Sequence, residues 1–102
     1  MYTIFLETDV TEDIKMRIWA RQFKETRMLA NEQIVDETND TRTHKVFRAI
    51  EEICKKMDLP QPVWLDRNIK EFKRNAVVRF DGDSFIEEVP FDYLEIRVIE
   101  ED

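Results

Sequence analysis

A chain of 102 residues with 42% hydrophobic and 11% aromatic content has enough apolar material for one core and needs neither metal nor disulfide to fold. Its net charge of −7, from 23 acids against 16 bases, repels phosphate backbones and disfavours nucleic-acid binding by the surface as a whole. A single cysteine, histidine and glycine exclude an intramolecular disulfide, a Cys/His zinc cluster and both common glycine-rich phosphate loops.

With no linker-like stretch, the expectation is one domain over residues 1–102. The lone Cys54 suits a reducing compartment, and the opening MYTIFLETDVTED lacks the basic and apolar regions of a secretory signal. No apolar run approaches the roughly 18 residues of a membrane span. A cytoplasmic protein with no membrane partner is therefore expected.

Residues 2–7, with Tyr2, Ile4 and Leu6 on one side and Phe5 on the other, predict an interior strand, followed by a loop over residues 8–13. From Ile14 the apolar positions alternate with Lys15, Arg17 and Arg21, as in a half-buried strand with a basic outer face. Residues 28–36 suit the second arm of a hairpin, but residues 20–34 are also rich in helix formers, and both readings stay open.

A helix is expected over residues 42–57. Asn39, Asp40 and Thr41 offer N-caps, Val46, Phe47, Ile50, Ile53, Cys54 and Met57 form an apolar stripe, and Leu59-Pro60 ends it. A shorter helix follows from Asp66 or Arg67 to Arg74, with Asp66 as cap and Asn75 as a left-handed stop. Residues 77–80 and 84–89 flank Asp81-Gly82-Asp83 and read as a hairpin. Residues 93–100 alternate cleanly as a last strand. Strands not regularly interleaved with helices predict an α+β two-layer sandwich, a mainly antiparallel sheet with one long and one short helix packed on one face.

Candidate chemistry is sparse, leaning against an enzyme and giving no catalytic, cofactor-binding or metal residue. His44 and Cys54 lie ten positions apart on one helix, about 15 Å along its axis, too far for a thiol–imidazole pair. The oxygen-rich loop Asp36, Glu37, Asn39, Asp40 lacks the spacing and glycine of a calcium loop. Acid pairs such as Asp81 with Asp83, or Glu87 with Glu88, are expected by chance at this acidity.

Charge is segregated. Residues 14–28 hold five bases against Glu25, and residues 81–102 hold nine acids against Arg97. Arg17, Trp19, Arg21, Lys24 and Arg27 form the candidate binding surface, a basic-aromatic face. The internal alternative, which we favour, sets Arg17 or Arg21 opposite Glu95 as a cross-strand pair.

The stretches ANEQIVDETNDTRTHKVF, VWLDRNIKEFKR and FDYLEIRVIEED resemble a family of short, uncharacterised bacterial proteins of about this length. The resemblance implies a bacterial, intracellular origin and transfers no functional residue. Two functions are weighed. The first is a non-enzymatic protein-interaction or regulatory module, with a mobile element as one source, whose partner is another protein or a second copy; in one form its acidic residues 81–102 mimic a nucleic acid. The alternative is a nucleic-acid binder using the face of residues 15–27.

Overall fold

The computed structural model describes residues 11–12 and 15–101, with side chains from 15 to 99. The strand expected over residues 2–7 lies outside the described residues. Within the expected loop, Thr11–Glu12 (β1) is instead a short strand, paired antiparallel with Asp40–Thr41 (β4).

The main sheet is antiparallel and has the order β3-β2-β6-β5. Its strands are Lys15–Lys24 (β2), Arg27–Asp36 (β3), Val77–Asp81 (β5) and Tyr93–Glu101 (β6). Residues 20–34 are therefore two strand arms and the turn between them, not a helix. Helix propensity yields because alternate positions of β2 reach the core: Met16, Ile18 and Ala20 are buried beside Val78, Phe80, Leu94, Ile96 and Val98.

Helix α1, Arg42–Met57, has the expected bounds. The Thr41 hydroxyl accepts from the His44 N–H at 3.2 Å, so the last of the three offered residues is the cap. Asp58 takes a left-handed conformation and the Leu59 N–H returns to the Cys54 carbonyl at 2.8 Å, closing the helix just before the proline. Val46, Ala49, Ile50, Ile53 and Cys54 enter the core, with Phe47 and Met57 at its margin.

Helix α2, Asp66–Asn75, starts at Asp66 as one of the two expected starts, but its cap is Leu65 rather than Asp66, because the Asn68 side chain reaches back to accept the Leu65 N–H at 2.9 Å. Its left-handed stop is Ala76, not Asn75. The Ala76 carbonyl accepts from Val98 N–H at 3.0 Å, which fastens the helix end to β6. Both helices pack on the same sheet face, and Trp64 sets its ring edge against Phe72 at 5.5 Å and Phe80 at 4.9 Å.

The second expected hairpin is absent. Gly82–Ser84 forms a 3-10 turn, and the partner of β5 is β6, not residues 84–89. Phe85 and Phe91, ring centroids 5.5 Å apart, are both drawn into the core from an irregular connection. A strand with Phe85 inward would also have turned Glu87 inward, and Glu87 is exposed.

The β2–β3 turn holds Glu25 and Thr26 at φ 51° and 70°, a conformation with no steric cost only for glycine. The Glu25 N–H donates to Asp92 Oδ2 at 2.8 Å, binding the turn to the loop before β6. Replacing the pair by Asn-Gly keeps that donor and relieves the strain. We expect the variant to be about 1–2 kcal/mol more stable, read by urea unfolding at unchanged m-value.

Candidate functional site: the open face of the sheet

With both helices on one side, alternate residues of four strands turn to the other side. The register sets them in cross-strand rows. Val35, Arg17 and Ile99 form the first; Gln33, Trp19, Arg97 and Val77 the second. Asn31, Arg21, Glu95 and Arg79 form the third, and Met28, Phe23, Tyr93 and Asp81 the fourth.

Glu95 is the centre of this face, and although no helix covers it the residue is only 2% exposed. A buried carboxylate needs charged partners, and three arginines supply them. Arg21 gives its Nε to Oε1 at 3.1 Å and adds an Nη2 hydrogen bond to the same oxygen. Arg79 gives its Nε to Oε2 at 3.3 Å, and Arg97 Nη2 stands 4.0 Å from Oε1. Burial by itself would push the Glu95 carboxyl up. The Arg21 hydrogen bond, followed by the charges of Arg21, Arg97 and Arg79, outweighs it and holds the carboxyl below its ordinary value.

Aromatic rings form the bed for these cations. The Arg21 guanidinium lies over Trp19 at 4.7 Å and Phe23 at 5.1 Å, and Arg79 lies over Tyr93 at 5.5 Å. Phe23 and Tyr93 stack on each other at 5.2 Å. At least one face of each of these rings is thus taken by a guanidinium or by another ring.

The anticipated cross-strand pairing of Arg21 with Glu95 is present. Arg17, Trp19 and Arg21 share the open face, whereas Lys24 and Arg27 face each other at the hairpin tip, beside the turn. Arg79 and Tyr93 belong to the face and were not singled out in the sequence. Strand alternation from Leu94 and Ile96 would have placed Tyr93 there; Arg79 needed the β5–β6 pairing.

Other titratable clusters close helix ends and turns. Arg48 binds Asp36 Oδ2 at 2.6 Å and Asp40 Oδ2 at 3.1 Å. The Asp40 carboxyl is held down to about 2 by the Thr41 N–H, His44 and Arg48. Arg67 binds Asp81 and Asp83 at 2.8 and 3.1 Å. His44 is exposed on the first turn of α1, and the buried Cys54 thiol is pushed up to about 11, which suppresses its nucleophilic form. Among the described residues no three His, Cys, Asp or Glu side chains gather as a metal centre, and no helix is long and apolar enough to cross a membrane. No protein family, curated protein or solved structure matches the chain.

Proposed function

We propose that the chain is a non-enzymatic protein-interaction or regulatory module of a bacterial cell, working through the open face of its sheet. The observation that carries this reading is the one-sided packing: both helices cover one face and leave an ordered layer of rings and guanidiniums on the other. Such a layer has the composition of interface centres, where aromatic residues and arginine are enriched. Exposed Val35 and Ile99 extend it with apolar surface. The nucleic-acid alternative is weaker because guanidiniums and ring-on-ring stacking already take up part of its stacking platform. The mimic form loses ground too, since Glu95 is buried and Asp81 and Asp83 are bound to Arg67.

A photo-cross-linking residue placed at Gln33 or Val77, on the open face, tests this in the bacterial host. We expect both positions to give an adduct with the same protein, and that protein, once purified, to bind the chain in vitro. The same residue at exposed Glu52 on α1 should give none. Equal labelling from Glu52, or no adduct from the open face, would overturn the reading. Binding to single-stranded oligonucleotides that weakens steeply with salt would transfer it to nucleic acid.

A further inference from the structure

We infer that Arg79 and Arg97 form, beside Glu95, a binding site for the carboxylate of an extended peptide segment with an acidic residue between apolar ones. This rests on the interaction reading above and names the chemistry of the partner.

The charges around Glu95 do not balance. One carboxylate faces three guanidiniums within 4.0 Å, an excess of two positive charges on a small area of a protein whose net charge is −7. Both carboxylate oxygens are already engaged, Oε1 by Arg21 and Oε2 by Arg79. A guanidinium carries five N–H donors in a planar fork. Arg79 spends one of them on Glu95, and Arg97 reaches the same carboxylate only at 4.0 Å. Among the described residues no second carboxylate pairs with either.

Arg79 and Arg97 are diagonal neighbours on adjacent strands, since Arg79 stands opposite Glu95 and Arg97 opposite Val77. Side chains of this length meet across such a diagonal. Their side chains are 53% and 41% exposed, against 24% for Arg21, so Arg79 and Arg97 are the more open to an incoming group while Arg21 is held further inside. An incoming carboxylate would take charge-assisted hydrogen bonds from both and relieve the repulsion between them. Val77 beside this pair and Ile99 further along β6 offer apolar contact to the neighbours of the acidic residue. A peptide with one spaced carboxylate suits this face better than a phosphodiester chain, because the rings needed for base stacking are partly taken by guanidiniums and by each other and the protein's net charge of −7 repels a polyanion.

The test is an arginine Nε–Hε NMR titration of the full chain. The probe is acetyl-Val-Glu-Val-amide, with acetyl-Val-Gln-Val-amide and inorganic phosphate as controls. We expect the signals of Arg79 and Arg97 to move together with the glutamate peptide at millimolar concentration, the glutamine peptide to leave them in place, and Arg48 and Arg67 to stay fixed. Arg79→Gln and Arg97→Gln, both at half-exposed positions, should each weaken binding about tenfold, equivalent to one charge-assisted contact. Unmoved signals at about 50 mM peptide, equal shifts with the glutamine control, or tighter binding of phosphate would each overturn the inference. Should these failures occur while cross-linking from Gln33 and Val77 succeeds, the interaction reading stands without its acidic partner. Failure of both experiments removes both.

Discussion

Replacing Glu95 by glutamine should lower the unfolding free energy by about 2–4 kcal/mol, centred on the lower end of the range for breaking a buried ion pair because its arginine partners keep some contact with water. The residue is 2% exposed and both its oxygens accept from guanidiniums. An amide of the same shape keeps the packing and removes the charge that holds three cations together. Acid unfolding reads the same group. Its folded pKa lies below the ordinary 4.5, so the unfolded chain binds the proton more readily. The contribution of Glu95 is complete above the ordinary value and is lost as pH falls through the depressed one. The wild-type curve should therefore decline below about pH 4.5, and the decline should be shallower in Glu95→Gln, leaving the part due to Asp36 and Asp40, which are also depressed. A double variant, Arg21→Leu with Glu95→Leu, should recover at least half of the loss, because it removes the most buried of the three arginines with the carboxylate and leaves only Arg79 and Arg97, 53% and 41% exposed, to be solvated. A double variant no more stable than Glu95→Gln would show that the pair does more than neutralise itself.

Phe80→Ala should cost about 3–5 kcal/mol, since Phe80 is the largest fully buried apolar side chain among the described residues. The side chain is fully buried, belongs to β5 and takes the edge of Trp64 at 4.9 Å and 90°. Trp64 in turn leans on Phe47 and Phe72, so the cavity opens at the junction of the sheet with both helices. At about 4–8 °C per kcal/mol for a domain of this size, the melting temperature should fall by at least about 12 °C. Trp64 emission should shift to the red, read in a Trp19→Phe background so that one indole reports. Phe80→Leu, which keeps most of the volume, should lose less than half as much.

How far the sequence revealed this fold depends on whether the decisive contacts are local. Helix α1 was readable because its stripe recurs every three or four residues and both its stops are neighbours in sequence. Strands β2 and β6 were readable because alternation is itself local, and together with the charge pattern it led to Arg17 or Arg21 opposite Glu95, of which the register selects Arg21. The turn at Asp81-Gly82-Asp83 misled for the same reason. Its local chemistry fits a hairpin, whereas the following residues serve Phe85 and Phe91, whose place is decided by a core built elsewhere. The open face lies between these cases. Arg17, Trp19 and Arg21 sit on one strand and were legible as a set. Arg79 joins them only through the β5–β6 register, which no short window contains.

The sheet order also bears on how the chain assembles during synthesis. The two central strands are β2 and β6, and the bond between Arg21 and Glu95 spans 74 positions. The β2–β3 hairpin leaves the ribosome long before the strand that completes it, and among the described residues β5 has its only strand partner in β6. Until β6 emerges, the growing chain holds a hairpin with one unpaired central edge and a helix–strand unit with another. A nascent chain stalled before β6 would therefore present two adhesive edges, and a chaperone that holds such edges is where this protein should be found waiting.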